Sequence, residues 1–310
     1  MVARKACGVV SVWVASYVLY RRGGGFVPWA RGVPGSLFEA RGTRRFNVAS
    51  SLRVRAARHL CGRVTKGRQE ETTMGTYVLV HGAWHGAWCW DKLRPLLEAE
   101  GHRVVALDLP AHGKDRTPAK DVTLQAYADR VCKVLDAQRE RVTLVGHSLG
   151  GVVITQTAEQ RPDRIATLVY LCAFLPRDGE ALLKLAESDP GGLVLPNLVI
   201  AGDGVTATLR EGAPRKAFYG ECSEADAAWA TSHLVPDPVV GHTTPVHTTA
   251  ENWGHVPRVY VECLRDQAIP IALQRRMYTA SPCRKVLSLD TDHSPFLSAP
   301  EALAAHLLSL

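Results

Sequence analysis

Residues 142–154 read VTLVGHSLGGVVI: an apolar β-type run, then Gly146-His147-Ser148-Leu149-Gly150-Gly151, then an apolar helical run. No other stretch constrains the chain as much. A strand that turns into a helix through Gly-x-Ser-x-Gly belongs in a sheet whose neighbours stand too close for side chains at those glycines. The serine occupies a strained turn at the strand end, with its Oγ exposed above the sheet.

The flanking sequence supplies such a sheet. TYVLV (76–80), RVVALDL (103–109), RVTLVG (141–146) and ATLVYLCAF (166–174) are short apolar runs rich in β-branched residues. Helical patterns separate them: WDKLRPLLEAEG (90–101), then 123–138 with Leu124, Tyr127, Val131, Val134 and Leu135 on one face, then 149–160. Buried strands alternating with helices predict an α/β fold, a mostly parallel sheet with helices on both faces. At Pro176 the rhythm breaks into proline- and glycine-rich turns with short helical pieces at 179–187 and 223–233. It resumes with RVYVEC (258–263), a helix at 270–280, VLSLD (286–290) and a helix at 299–310. Residues of about 176–255 therefore read as a helical cap, inserted between two strands and lying over their C-terminal ends.

A serine hydroxyl is a poor nucleophile without a base, and the base needs an orienting acid. In this architecture both belong on loops after later strands, in the order Ser, Asp or Glu, His. RVYVEC is followed by Leu264-Arg265-Asp266, and VLSLD by Thr291-Asp292-His293. Ser148, Asp266 and His293 are the expected catalytic set. Asp290 and Asp292 compete with Asp266, but both stand too near His293 in sequence to reach its ring from a separate loop. The oxyanion donors are expected to be the backbone N–H of Leu149, directly after the serine, and that of Ala83 in His81-Gly82-Ala83-Trp84-His85-Gly86. His81 and His85 read as residues that order this loop.

Charge divides the chain unevenly. Residues 1–73 carry 14 Lys and Arg against 3 acidic residues, and residues 74–310 carry 23 against 27. The overall net of +7 therefore describes the N-terminal extension, which removes the charge argument for nucleic-acid binding. The domain reading is a basic extension over 1–73 and the α/β domain over 74–310. The apolar stretch from Gly8 to Tyr20 is too short to span a bilayer. Three readings fit the extension: a leader outside the working protein that starts at Met74, a targeting segment, or a folded appendage. Eight cysteines without a CxxC pair suit buried thiols in a reducing compartment, and a cytoplasmic location is expected with targeting left open. No HExxH motif is present among the twelve histidines, and neither a metal nor a cofactor is expected.

With these motifs in place, residues 76–310 resemble the α/β-hydrolase superfamily, in particular its plant methylesterase and hydroxynitrile lyase branch and the bacterial carboxylesterases related to it. The stretches YVLVHGAWHGAWCW, VVALDLPAHG, VTLVGHSLGG, RVYVECLRDQAIP and DTDHSPF carry the resemblance. It implies a serine carboxylesterase that acts through an acyl-enzyme on small to medium hydrophobic or aromatic esters, some bacterial relatives hydrolysing pyrethroids. Such lyases carry a threonine after the first-strand histidine and a lysine after the catalytic histidine. Gly82 and Ser294 stand there in this chain, which favours the esterase. A receptor-like hydrolase fold that binds a ligand without turnover is the other alternative. Trp84 and, from the cap, Phe218, Tyr219, Trp229 and Leu234 are the expected pocket residues. The expected partner is a small-molecule ester, with no nucleic acid and no membrane span, and a homodimer stays open.

Overall fold

The structure is a computed structural model that describes residues 74–310, so the expectations for residues 1–73 lie outside the described residues. Among the described residues nine strands follow one another: β1 (Thr76–Val80), β2 (Arg103–Leu107), β3 (Val142–His147), β4 (Ile165–Leu171), β5 (Leu198–Ile200), β6 (Thr206–Leu209), β7 (Asp237–Pro238), β8 (Arg258–Cys263) and β9 (Lys285–Leu289). Six of them form one sheet in the order β2-β1-β3-β4-β8-β9, and every pairing in it is parallel. In a parallel sheet all strand C-termini share one edge. The loops that follow β1, β3, β8 and β9 therefore open along one edge, although the ends of β1 and β9, Val80 and Leu289, lie more than 200 residues apart in sequence. Val80 is in register with Gly146, His147 with Leu171, and Cys263 with Leu289.

The strands are apolar because both faces are covered. Val78, Leu79, Val80, Leu144, Val145, Leu168 and Val169 are all fully buried. The helices α1 (Arg94–Ala99), α2 (Leu124–Asp136) and α3 (Gly150–Gln160) follow the first strands. Thr123 caps α2 by accepting the Ala126 N–H at 3.0 Å, and the helix buries Leu124, Tyr127, Val131 and Leu135 against the sheet. Its neighbour α3 runs through the interior. Thr155 and Thr157 are tolerated there because each hydroxyl donates to a carbonyl one turn back, Gly151 O and Val153 O, both at 2.8 Å.

Between β4 and β8 the chain leaves the sheet. This segment holds α4 (Leu182–Glu187), α5 (Ala213–Ala217), α6 (Glu224–His233) and α7 (Val240–Thr243). It also holds β5, β6 and β7 as a small antiparallel sheet, which the helical reading of the cap did not include. Strands of two to four residues carry too little periodicity to be read from sequence. The chain ends with α8 (Ile271–Ala280), α9 (Pro295–Ser298) and α10 (Pro300–Leu308).

One predicted helix is shorter than expected. Of residues 90–101 only Arg94–Ala99 is helical, as α1, with Pro95 in its first turn and a 3₁₀ turn, Ala87–Trp90, before it. Residues 299–310 form α10 as expected, with Pro300 in its first turn, and the separate short α9 precedes it.

Candidate active site

Ser148 sits at φ +52°, in the left-handed region that L residues avoid. Such a conformation persists only where the surroundings fix it. Its N–H donates to Leu171 O at 3.4 Å, and its carbonyl accepts from Gly151 N–H at 3.0 Å and Phe174 N–H at 3.1 Å. The glycines of the motif are dictated by contact. A Cβ on Gly146 would lie 2.5 Å from Gly150 O, and one on Gly150 would lie 2.7 Å from Val80 O. One on Gly151 would lie 2.1 Å from Phe174 O. The turn thus presses strand against helix, and Ser148 stays partly exposed while residues 144–147 are buried.

His293 comes from the loop after β9 and is almost fully buried. Its Nδ1 lies 2.7 Å from Asp266 Oδ2, the carboxylate on the loop after β8. Asp266 is itself held on all sides. Oδ1 accepts the N–H groups of Ala268 and Ile269 at 2.7 and 2.8 Å, and Oδ2 accepts Gln274 Nε2 at 3.1 Å. The rival carboxylates are occupied elsewhere. Asp292 accepts from the N–H groups of Glu221 and Ser294 and from Ser298 Oγ. Asp290 pairs with Arg265 at 3.0 Å.

Three other buried histidines lie in the serine turn and in the loop after β1, and each is committed to the backbone. His81 Nδ1 donates to Gly82 O at 2.8 Å while its Nε2 accepts Leu109 N–H at 3.1 Å. His85 Nδ1 donates to Ala83 O at 2.7 Å while its Nε2 accepts the Tyr219 hydroxyl at 2.9 Å. These bonds shape the loop at residues 81–86, as the order-giving reading of both residues anticipates. His147, inside the Gly-x-Ser-x-Gly turn, donates Nε2–H to His293 O at 2.8 Å, and Cys172 Sγ approaches the same carbonyl at 3.4 Å. Sequence reasoning missed this anchoring of His293, since nothing marks the variable position of the motif. Burial drives the pKa values of His81 and His147 well below the usual imidazole range and that of His85 down to about 4. All three rings are neutral near pH 7.

Neither the Ala83 nor the Leu149 N–H has a protein acceptor among the described residues. Both residues are buried, Leu149 directly after Ser148 at the start of α3 and Ala83 directly after Gly82. Gly82 fits tightly against the serine turn: a Cβ there would lie 2.8 Å from Ser148 Cβ and 2.8 Å from His147 Nδ1.

The five expected pocket residues fall in three places. The Phe218 ring lies 5.6 Å from the His293 ring and 5.6 Å from that of His85, and Tyr219 is fully buried against His85. Trp84 and Leu234 border a cavity of about 240 Å³ between β6, α5 and α6, which neither Ser148 nor His293 lines. Trp229 is 40% exposed and packs on Trp88 and His233, not on His293. It departs from the expected pocket because the buried stripe of α6 is made by Ala227 and Ala230, which turns Trp229 outward.

Among the described residues one group, His147, Cys172 and His293, has potential ligand atoms within 4.8 Å of one another. His147 Nε2 and Cys172 Sγ are engaged with His293 O and His293 Nδ1 with Asp266, while the buried His147 Nδ1 has no hydrogen-bond partner among the described residues. The six cysteines of the described residues are free thiols. No helix among the described residues is long and apolar enough to cross a membrane.

A parallel sheet that carries a serine in a strained strand-to-helix turn, with a carboxylate and a histidine on the loops after its last two strands, defines the α/β-hydrolase class of protein. The chain belongs to the alpha/beta hydrolase family, whose family model matches residues 77–306. It is 32% identical over 253 residues to methylesterase 9 of Arabidopsis thaliana, an alignment covering 76% of this chain and 98% of that protein. The crystal structure of polyneuridine aldehyde esterase superposes with a TM-score of 0.70 at 28% identity, covering 76% of this chain and 98% of that one. A pyrethroid hydrolase from Sphingobium faniae JZ-2 gives 0.68 at 30% identity, with 76% and 97% covered.

Proposed function

We propose that the protein is a serine carboxylesterase that needs no metal or cofactor. The observation that carries this reading is the His293 Nδ1–Asp266 Oδ2 contact of 2.7 Å, on the same sheet edge as a serine held at φ +52°. Ser148 Oγ attacks the ester carbonyl and His293 Nε2 takes the hydroxyl proton. Asp266, accepting Nδ1–H, fixes the tautomer that leaves Nε2 free and stabilises the imidazolium that forms. Negative charge then develops on the carbonyl oxygen, and the free N–H groups of Ala83 and Leu149 stand ready to receive it. Collapse of the tetrahedral adduct expels the alcohol, which takes the proton from His293. Water, activated by the same imidazole, hydrolyses the acyl-enzyme.

His81, His85 and His147 are not alternative bases, because each is buried, neutral and bonded to the backbone. Phe218 against His293 supports an apolar binding surface for a hydrophobic or aromatic ester, and esterases among the relatives support the same class of substrate. The hydroxynitrile lyase reading is weaker. It relies on a threonine and a lysine where this chain has Gly82 and Ser294, and a side chain at position 82 would press on Ser148.

A substrate panel tests the proposal. Purified protein is assayed with p-nitrophenyl esters of increasing chain length, methyl esters of aromatic acids, a pyrethroid and mandelonitrile. Hydrolysis of at least one ester series, with no release of cyanide from mandelonitrile, is the expected result. Cyanide release without ester hydrolysis would overturn it.

A further inference from the structure

The oxyanion loop contains a second strained residue. Trp84, directly after Ala83, sits at φ +62° while buried. Tryptophan has no intrinsic preference for that region, so contacts from elsewhere must impose it. All of its polar groups are tied to the segment between β4 and β8. Its indole Nε1–H donates to Ala207 O at 2.9 Å on β6, and its carbonyl accepts Val235 N–H at 3.0 Å. Its backbone N–H donates to Asp237 Oδ1 at 3.0 Å on β7. Of the three anchors, only Asp237 is a side chain and only Asp237 is charged.

The surroundings of Asp237 are unusual for a carboxylate. It is fully buried, where an unpaired charge is strongly disfavoured. Two imidazoles compensate: His112 Nε2 lies 2.5 Å from Oδ1, and His242 Nε2 is bonded to Oδ2. The other nitrogen of His112, Nδ1, faces Pro110 O at 3.0 Å. A carbonyl and a carboxylate are both acceptors, so both nitrogens of His112 carry protons and the ring is an imidazolium. Burial opposes that charge, but Asp237 outweighs it and the His112 pKa is raised. A buried ion pair thus links the loop after β2 to β7 and delivers a charge-assisted acceptor to the N–H of Trp84. Hydrogen bonds to an ionised acceptor are roughly twice as strong as neutral ones.

We propose that Asp237 is a positioning residue for ester hydrolysis: by fixing the N–H of Trp84 it sets the orientation of the preceding peptide and so aims the Ala83 N–H at the oxyanion. The proposal rests on the esterase reading above. Its consequence concerns the transition state. The ester carbonyl of the ground state gains little from an aligned donor, whereas the tetrahedral oxyanion gains a great deal. Loss of Asp237 therefore lowers kcat and leaves KM nearly unchanged, whereas a general loosening of the pocket raises KM as well.

The test compares wild type, Asp237→Asn, Asp237→Ala and Ser148→Ala as full chains. The measurements are kcat and KM on one p-nitrophenyl ester, the Kd of an arylboronic acid as tetrahedral mimic, and the Tm. Asp237→Ala is expected to lower kcat by about 30- to 300-fold with KM within about threefold of wild type, in line with the loss of one oxyanion donor or somewhat less. Affinity for the boronic acid should fall in parallel. Asp237→Asn keeps an oxygen for the Trp84 N–H but loses the charge, so its kcat should fall by only about 3- to 10-fold. If Asp237→Ala fails to fold, Asp237→Asn decides alone, and wild-type kcat in that variant overturns the proposal. A kcat loss without a parallel loss of boronic acid affinity, or one matched by an equal rise in KM, also overturns it. Ser148→Ala separates the two levels. If it retains turnover, the esterase reading falls and the proposal with it. If it is inactive while the Asp237 variants keep wild-type kcat, the proposal alone falls.

Discussion

Asp266 and His293 meet through one short contact, Oδ2 to Nδ1 at 2.7 Å, although 27 residues separate them and each lies on its own strand-end loop. Asp292, next to His293 in sequence, faces away and organises the backbone of Glu221 and Ser294 instead. The two carboxylates can therefore be told apart by mutation. Asp266→Asn should reduce ester kcat by a factor on the order of 10⁴, because the amide no longer selects the tautomer with a free Nε2. Asp292→Asn should act through loop stability, with kcat reduced by less than about tenfold in the folded protein. Steady-state kinetics on both variants checks this, and the reverse ranking would give Asp292 the role assigned here to Asp266.

The glycines of the serine turn differ from those of the surface in what surrounds them. A Cβ on Gly151 meets Phe174 O at 2.1 Å, whereas one on Gly202 meets nothing within 4 Å. Gly151→Ala should destabilise the protein by more than about 2 kcal/mol, since backbone must move to admit it. Gly202→Ala should stay within about 0.5 kcal/mol of wild type. Urea unfolding of the two variants measures both. Equal stabilities would mean that the strand and helix are not pressed together as described.

Acid should destabilise the protein through its buried imidazoles. Unfolded histidines take up protons near about pH 6.5. Burial delays this to about pH 4 for His85 and keeps His81 and His147 neutral to lower pH still. Between those limits the unfolded chain binds more protons than the native one, so stability falls as the pH drops from about 6.5 towards 4. His112 adds no slope in that window, being protonated in the native protein and, below about pH 6.5, in the unfolded chain also. Its contribution is lost instead as the pH rises through its raised native pKa. Urea midpoints across pH 4 to 8 should decline steadily on the acid side, and His85→Asn should flatten that decline. A flat acid limb in wild type would contradict the buried, neutral state of these rings.

Much of this architecture was legible in the chain because it repeats a strong pattern. The central strands of the large sheet are apolar on both faces, and their ends fix which loops share an edge; with the Ser, Asp or Glu, His order of this architecture, that is what pointed to Asp266 and His293 beside Ser148. The segment between β4 and β8 was harder. Its strands are too short to show a period, and α6 buries alanines, so its one tryptophan signalled burial and delivered exposure. The Asp237 cluster was illegible for another reason. His112, Asp237 and Trp84 lie on three separate segments, and only the folded chain shows that they converge.

The N-terminal extension offers a prediction that rests on charge and position. Residues 1–73 carry an excess of 11 basic side chains, and every residue of the candidate site lies beyond them. A chain beginning at Met74 should fold and hydrolyse esters with a kcat/KM within about threefold of the full chain. The many Arg and Lys residues of the extension should also make it the first region that trypsin removes. A truncated chain that aggregates, or an extension that resists trypsin as well as the remainder does, would show that residues 1–73 pack against the hydrolase.

The most direct test of the central claim is steady-state turnover of a p-nitrophenyl ester by the full chain and by Ser148→Ala, with circular dichroism confirming that both are folded. The account predicts linear release over many equivalents of product by wild type. It also predicts a loss of kcat on the order of 10³ to 10⁶ in the variant, the range expected when the nucleophile of such a triad is removed. A wild-type protein that stops after one equivalent, or a folded Ser148→Ala variant that retains wild-type kcat, would contradict it.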